Sequence, residues 1–436
     1  MASARLTKTI SSSTGKIFTM SVWLKKADNA SINTLFHLTS DSNTNKYIEI
    51  ASKSGYAIDF QLKNGTSGDN GTFLRRRLTR LFRDHHAWYH IVIRFDSTNS
   101  TAGDRARIYI NGEQATDVDQ DSTPDVPLNF VSDLNNANSN LSLAGFVGGS
   151  HYLNGQLAHF HFTDGYSYAP TEFGETDATT GIWKPKTSPS VTYGTNGFFL
   201  KFDNSANMGL DSSGQGNNFT TNGTIIQNKD TPNNVFATWN PLEPTSNLTF
   251  SNTNNTLTSG AGSKGVPSTL AVSSGKFYFE NKLGSSAGNV VTGIAQDNSF
   301  TYVGSSSTSY GHWNGNIYNN GSTTSYGGTA SNNDIVGIGL DLDNNKMYVS
   351  INGTWQNSAN PSSGTGGHTI NAGTYHFAAS GDTSQSWNAN FGNGYFGTTA
   401  VSSAQNPDDG NGIFEYDPPT GYRALCTKSI NAEEYS

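Results

Sequence analysis

An arginine-rich stretch is the strongest local concentration of charge in this chain of 436 residues, whose formal net charge is −8. Five arginines lie within nine residues, at Arg75, Arg76, Arg77, Arg80 and Arg83. If residues 73–83 are extended, Arg75, Arg77 and Arg83 share one face, and Arg76 and Arg80 share the other. Guanidinium groups pair bidentately with carboxylate or phosphate. The stretch therefore predicts docking to an acidic protein or, as a second choice, binding of an anionic sugar. The structural alternative is a solvated sheet edge.

Aromatic residues interleaved with Gly, Asn and Ser form a second candidate site. They are Tyr302, Tyr310, His312, Trp313, Tyr318 and Tyr326. Aromatic faces flanked by amides suit a sugar, because rings stack on its C–H faces while amides bond its hydroxyls. A β-sandwich also buries aromatics, so we expect most of them in a core and one or two at a loop tip. The candidates for ligand contact are Tyr310, His312, Trp313 and Tyr326.

Three alternating carboxylates, Asp117, Asp119 and Asp121, could supply oxygen ligands to Ca²⁺. An EF-hand loop starting at Asp117 would need Gly and Glu where Ser122 and Leu128 stand. The residues thus leave two interpretations open, a calcium site and a solvated acidic turn.

Catalytic carboxylates are sparse. Glycan-cleaving sandwiches place an acid and a nucleophile or base together on one strand, and no Glu-x-Asp-x-Glu strand occurs here. Glu172, Glu175 and Asp177 cluster in a Gly/Thr-rich stretch without strand alternation, which favours capping roles. We therefore expect a non-enzymatic protein.

The composition indicates an all-β protein. Hydrophobic residues make up 34% and charged residues 14%, and Gly contributes 47 residues, which disfavours helix interiors. An aromatic fraction of 11% is too high for a disordered chain.

The acidic charge argues against nucleic-acid binding, and no apolar run approaches the roughly 20 residues of a membrane span. The single cysteine, Cys426, fits synthesis in a reducing cytoplasm.

Short runs with period-two alternation predict two β-sandwiches. Two Asn-Gly pairs, Asn111–Gly112 and Asn352–Gly353, each predict a type I′ hairpin turn. We expect a first domain over 1–186, a partly extended connecting module over 187–245, a second domain over 246–427 and a C-terminal tail over 428–436. The predicted strands include 18–24, 47–50, 57–62, 88–95, 106–110, 157–162, 198–203, 275–280, 291–295, 335–343, 346–351, 375–379 and 388–392.

Short sequence segments in each half resemble known protein families. The first half resembles the concanavalin A-like, laminin-G-like jelly roll in residues 21–25, 88–92, 107–112 and 155–160. The second half resembles a SPRY domain in residues 274–280, 293–295, 334–341 and 352–355. The resemblance implies jelly-roll sandwiches in both domains.

The joined arrangement resembles tailed-phage virion proteins such as tail fibres. The matching phrases are 173–185, 193–202, 211–214 and 419–426. The resemblance implies a virion protein made in the bacterial cytoplasm and exposed after lysis, in a homo-oligomer mounted on other virion proteins. Its expected role is attachment to a host cell-surface glycan. Alternatives are a capsid or tail decoration protein that docks other proteins and, as a minor one, a glycan depolymerase.

Overall fold

The computed structural model describes residues 4–27, 32–40, 46–52, 57–64, 72–119, 125–242, 247–262, 264–285, 288–297 and 300–434. The chain forms two compact units, Met1–Gln227 and Asn228–Ser436. Residues 187–227 thus pack with the first unit and residues 228–245 with the second. The segment expected to connect the domains is divided between them.

The first unit is built from short antiparallel strands. In chain order they are β1 (Arg5–Thr9), β2 (Ile17–Lys26), β3 (Asn33–Thr39), β4 (Lys46–Ser52), β5 (Ile58–Asn64), β6 (Thr72–Leu78), β7 (Tyr89–Asp96), β8 (Ala106–Ile110), β9 (Glu113–Gln114), β10 (Val118–Asp119), β11 (Asn140–Leu143), β12 (Gly155–Asp164), β13 (Gly174–Thr176), β14 (Trp183–Pro185), β15 (Phe198–Leu200) and β16 (Thr220–Asn222).

Two sheets of this unit enclose its hydrophobic core. Among the described residues, one sheet has the order β10-β6-β5-β4-β3-β11-β1-β16 and the other the order β15-β12-β2-β7-β8-β9. The core takes Phe36 and Phe60 from the first sheet and Phe18, Phe95 and Phe162 from the second. Because successive side chains of a strand point to opposite faces, the core fixes which residues lie on the outer face of each sheet.

The second unit repeats the sandwich plan. Its strands are β17 (Leu248–Ser251), β18 (Thr256–Ser259), β19 (Lys264–Pro267), β20 (Lys276–Leu283), β21 (Val291–Ala295), β22 (Ser309–Trp313), β23 (Asn316–Asn319), β24 (Ser322–Ser325), β25 (Ile335–Asp341), β26 (Lys346–Ile351), β27 (Thr354–Trp355), β28 (His368–Thr369), β29 (His376–Gly381), β30 (Ser386–Asn390), β31 (Tyr395–Phe396), β32 (Thr399–Ala400) and β33 (Arg423–Ala424).

Within the described part of this unit, one sheet has the order β17-β18-β30-β20-β25-β26-β27 and the other the order β19-β29-β21-β22-β23-β24. Strand β28 pairs with β26, and β33 runs parallel to β20. The core between the sheets takes Phe279 from β20, Ile294 from β21 and Phe377 from β29. The all-β, two-sandwich prediction is confirmed.

Both predicted Asn-Gly turns adopt the left-handed backbone that a type I′ turn requires. The φ angles are 51° and 87° at Asn111 and Gly112, and 48° and 77° at Asn352 and Gly353. Each turn closes a hairpin, β8–β9 in the first unit and β26–β27 in the second.

The expected tail contains a helix, α1 (Thr427–Glu434). Its Ile430 packs against the core of the second unit, and Ser429 is buried. Burial of this short apolar face outweighs the weak helical signal of the sequence, since most helical stability in proteins comes from packing. In the described residues, no helix has both the length and the apolar character to cross a membrane.

Candidate functional site

Three neighbouring strands of the first unit present polar side chains on the face opposite the core. Strands β4, β5 and β6 direct isoleucine, phenylalanine and leucine inward, so the intervening residues point outward. The register places Glu49 opposite Gln61 and Gln61 opposite Arg75. At the neighbouring outward-facing position of β5, two residues before Gln61, Asp59 lies opposite Arg77. Together with His37 of the adjoining β3, which lies opposite Glu49, they form a surface that we call the polar face: His37, Tyr47, Glu49, Asp59, Gln61, Arg75 and Arg77.

Asp59 is the centre of the polar face. Its Oδ2 accepts hydrogen bonds from Nε and Nη2 of Arg75, at 3.0 and 2.9 Å, and from Nε and Nη2 of Arg77, at 3.3 and 3.1 Å. The Gln61 amide donates to the same oxygen at 3.0 Å. Asp59 is fully buried, whereas the Arg75 and Arg77 side chains stay 25% and 31% exposed. One buried carboxylate thus fixes two solvent-accessible guanidinium groups side by side.

Aromatic rings adjoin this network. The Tyr47 hydroxyl donates to Oε1 of Gln61 at 3.1 Å, and the His37 ring lies 3.7 Å from the Phe146 ring between centroids. Burial, reinforced by the negative charges of Glu49 and Asp59, raises the pKa of Tyr47 to about 12, so its hydroxyl stays a donor at neutral pH. On the polar face, His37, Glu49, Asp59 and Gln61 are buried, whereas Tyr47, Arg75 and Arg77 keep accessible surface. The accessible guanidinium and phenol groups can bond a ligand rich in hydroxyls.

The five arginines that the sequence analysis selected as a binding stretch lie in different surroundings. Arg75 and Arg77 share the polar face, as the alternation predicts. Arg76 points to the core side, is 7% exposed, and its Nη2 lies 2.7 Å from Oδ1 of Asp125. Burial lowers the pKa of Arg76 although Asp125 opposes this shift.

Arg80 and Arg83 lie beyond the end of β6 at Leu78, so the extended arrangement predicted over residues 73–83 stops short of them. Arg80 forms an ion pair with Asp117, its Nε donating to Oδ2 at 2.8 Å. Arg83 is exposed. The stretch is therefore not one continuous binding surface.

The predicted calcium ligands are not brought together in the described residues. Asp117 is occupied by Arg80, and Asp119 is exposed on β10 beside Arg77. Asp121 lies outside the described residues. In the described ranges, no group of three or more His, Cys, Asp or Glu side chains could hold a metal ion. Asp117 therefore belongs to an ion-paired turn, and calcium binding stays a prediction.

The predicted aromatic contacts in the second unit are mostly core residues. Tyr310 and Tyr326 are 4% and 2% exposed, and the Tyr326 hydroxyl donates to the Gly366 carbonyl at 2.9 Å. His312 is buried, and burial lowers its pKa to about 4. These three side chains are therefore corrected from ligand contacts to packing residues. Trp313 is half-buried and keeps an accessible surface.

The acidic cluster is part of a β-hairpin rather than a loop. Glu175 pairs with Lys184 across β13 and β14, and Asp177 follows β13. Lys184 Nζ lies 2.8 Å from Oδ2 of Asp177 and 3.7 Å from Oε1 of Glu175. Glu172 lies in a preceding 3₁₀ turn. Asp177 also accepts backbone hydrogen bonds from Thr179 and Thr180, so this cluster stabilises local structure.

Sequence reasoning did not select the residues that surround the arginines, namely His37, Tyr47, Glu49, Asp59 and Gln61. A signal for several of them was present, because Tyr47–Ile50 and Ala57–Leu62 alternate strictly and place their polar residues on one face. Which strand lies next to the arginines depends on sheet order, and alternation carries no information about that order.

The first unit is similar in sequence to a known protein family. Residues 2–172 match the model of the concanavalin A-like lectin/glucanases superfamily. The laminin-G-like resemblance of the first half is confirmed. No curated protein matches the chain.

Solved structures similar to this chain include SPRY domains. The SPRY domain of human HERC1 has 17% identity and a TM-score of 0.29, covering 35% of this chain and 96% of that chain. The TRIM65 PSpry domain has 13% identity and a TM-score of 0.28, covering 35% and 91%. A human SPRY domain has 14% identity and a TM-score of 0.27, covering 34% and 96%.

Proposed function

We propose that this chain is a non-enzymatic attachment protein of a tailed-phage virion, and that the polar face of its first unit binds a host-surface glycan. The observation that carries the proposal is the convergence of Arg75 and Arg77 on the buried Asp59, with both guanidinium groups partly accessible to solvent. The match of residues 2–172 to lectin and glucanase sandwiches supports the choice of a carbohydrate.

The chemistry of the polar face suits hydroxyl groups. Arg77 uses Nε and Nη2 on Asp59, and among the described residues nothing accepts a hydrogen bond from its Nη1 group. A guanidinium that is held in place donates to a ligand with little loss of side-chain entropy. Sugar hydroxyls, or the carboxylate of an acidic sugar, would accept from the outward edge of Arg77, while the partly exposed Tyr47 orients the ring.

The virion setting rests on the sequence segments that resemble tailed-phage proteins. One of them, residues 173–185, forms the β13–β14 hairpin, and another, residues 193–202, contains β15 of the first unit. In such a setting other virion proteins would anchor the chain, and several copies would bind one host surface with avidity.

A decoration protein that docks other virion subunits is the second candidate. Exposed Leu81 favours it, because this large apolar side chain is 43% exposed between the exposed Arg80 and Arg83. An apolar residue flanked by guanidinium groups is typical of a protein-docking surface. This patch lies after β6, apart from the residues of the polar face.

Binding of the full chain to immobilised host lipopolysaccharide and capsule separates the two candidates. We expect Arg77→Gln to reduce glycan binding at least tenfold. The matched control Arg80→Gln removes an exposed arginine outside the polar face and should leave binding within twofold. Equal loss in both variants would contradict the proposed site. A cryo-EM map of the virion would then locate the chain, and burial of Leu81 against a capsid neighbour would favour decoration.

A further inference from the structure

A cleft of about 260 Å³ opens on the second unit and shares no residue with the polar face. Its walls come from β21, β22, β23, the segment before β22 and the end of β29. We call it the aromatic cleft, lined by Asn289, Val291, Tyr302, Trp313, Tyr318, Ser380, Gly381 and Asp382.

The aromatic walls of the cleft are held in place. Trp313 donates its indole N–H to the Gly288 carbonyl at 2.7 Å, which fixes the orientation of the ring. The Tyr318 ring lies 5.4 Å from the Trp313 ring between centroids, at an interplanar angle of 48°. Both rings are half-buried, so each is supported on one side and accessible on another. Rigid aromatic surfaces of this kind bind with a small entropy cost.

Hydrogen bonds also fix the segment that carries Tyr302. The backbone N–H of Val303 donates to the Ser380 hydroxyl at 3.0 Å, and that of Gly304 donates to the Ser309 hydroxyl at 2.9 Å. Beneath the cleft, Val303 belongs to a small buried apolar cluster with Phe300. Contacts within the protein therefore define the shape of the cleft, as they do in most binding sites for small molecules.

Polar groups at the cleft restrict the ligand class. Asp382 uses Oδ1 to accept from the Thr383 backbone at 2.7 Å, and its Oδ2 accepts no hydrogen bond from the described residues. Asn289 is exposed. Of the residues that line the cleft, Asp382 is the one with a formal charge. Its negative charge would repel a ligand that carries a carboxylate or phosphate.

We infer that the aromatic cleft is a second carbohydrate site, specific for a non-acidic pyranose. The C–H face of the sugar ring stacks on Trp313, with Tyr302 and Tyr318 enclosing its edge. Oδ2 of Asp382 accepts from a ring hydroxyl or from an ammonium group of an amino sugar. This charge preference is opposite to that of the paired arginines of the polar face, so one chain would bind two chemically distinct sugars.

The test uses the full chain and three soluble probes: a neutral β-glucan oligosaccharide, a chitosan oligosaccharide and polygalacturonate. Saturation-transfer NMR and isothermal titration calorimetry should detect the first two at the cleft. We expect Trp313→Ala to weaken both at least tenfold and Trp313→Phe to weaken them by a smaller factor. Trp355→Phe, in a half-buried tryptophan that does not line the cleft, is the control and should change neither.

Asp382→Asn supplies an independent variant, since its amide oxygen can still accept from Thr383. We expect it to weaken chitosan binding at least fivefold and to leave the neutral probe within threefold. Three results would overturn the inference: unchanged binding in a folded Trp313→Ala protein, equal effects of Trp313→Phe and Trp355→Phe, or no binding of either non-acidic probe at millimolar concentration. Arg77→Gln should leave this site intact, so failure at the polar face is separable from failure here.

Discussion

The indole N–H of Trp183 donates to Nδ1 of His90 at 3.0 Å, and this bond determines which ring nitrogen of His90 carries the proton. Because Nδ1 accepts, Nε2 bears the hydrogen and donates to the Ser21 hydroxyl at 2.8 Å. The ring also stacks on Trp23 at 4.7 Å and is fully buried. The β13–β14 hairpin thus contacts the sheet that contains β2 and β7, through the neutral His90 ring.

We predict that acid destabilises the first unit through His90. Burial, with a smaller contribution from His159, lowers the pKa of His90 to about 3. Between pH 6.5 and pH 3 the unfolded chain binds a proton that the folded chain excludes, so stability falls as pH falls. The loss should be about 3 kcal/mol between pH 7 and pH 4. Urea unfolding of wild type and His90→Gln at both pH values measures it, and an equal pH dependence in the two proteins would contradict it.

The second unit should respond to pH with the opposite sign through Glu280. This carboxylate is fully buried and accepts from the backbone N–H groups of Glu415 and Tyr416, at 2.9 and 2.8 Å. Desolvation nevertheless raises its pKa to about 7. The folded state therefore holds the proton between pH 4.5 and pH 7, and stability falls as pH rises through this range.

The expected decrease is about 2 kcal/mol between pH 5 and pH 8. The difference in unfolding free energy between wild type and Glu280→Gln, measured at both pH values, isolates this group because glutamine does not titrate. A difference that grows in favour of wild type as the pH rises would refute the assignment.

Sequence alone predicted the class of fold but did not separate accessible from buried aromatic residues. Tyr310, His312 and Trp313 share the same Gly- and Asn-rich context, and only the bounds and pairing of β22 decide which side chains are buried. Arg75 and Arg77 were correctly placed on one face because alternation is local. Asp59, their shared partner, lies 16 residues before Arg75, and its position depends on the β5–β6 register.

Gly353 provides a test of the predicted type I′ turn. Its φ is 77°, and a Cβ there would lie 2.6 Å from Cδ1 of Tyr416. Gly364 has the same φ, but a Cβ would meet nothing within 4 Å. We expect Gly364→Ala to cost about 1 kcal/mol from backbone strain and Gly353→Ala about 2–3 kcal/mol, because it adds a steric clash. Thermal unfolding of both variants measures the difference, and equal costs would exclude a role for Tyr416.

Asp59→Asn should destabilise the first unit by about 2–3 kcal/mol, because it removes the shared anion between Arg75 and Arg77. The cost of breaking a buried ion pair is about 3–5 kcal/mol, and partial exposure of both arginines reduces it. Chemical denaturation measures the change. Arg80→Gln, which breaks an exposed pair with Asp117, is the control and should cost less than 1 kcal/mol. If the two variants lost similar stability, Asp59 would not be the centre of the polar face.

We predict that the full chain releases no reducing sugar from host polysaccharide. Glu49 and Asp59 lie on neighbouring strands of one face, but Oδ2 of Asp59 is occupied by two guanidinium groups, and Asp177 is paired with Lys184. A colorimetric reducing-end assay after prolonged incubation tests the prediction. Release that Glu49→Gln abolishes would instead establish a depolymerase at the polar face. Release that survives this variant but not Glu175→Gln with Asp177→Asn would place it at the hairpin.

The position of Asp59 between Ile58 and Phe60 also bears on how the chain folds. A slip of β5 by one residue would turn Phe60 to the solvent and drive the Asp59 carboxylate into the apolar interior. Burying that charge away from its guanidinium partners costs several kcal/mol, so a sandwich built on the misaligned strand would be less stable than the native one. The carboxylate that organises the polar face thereby also selects the alignment of β5 with its neighbouring strands.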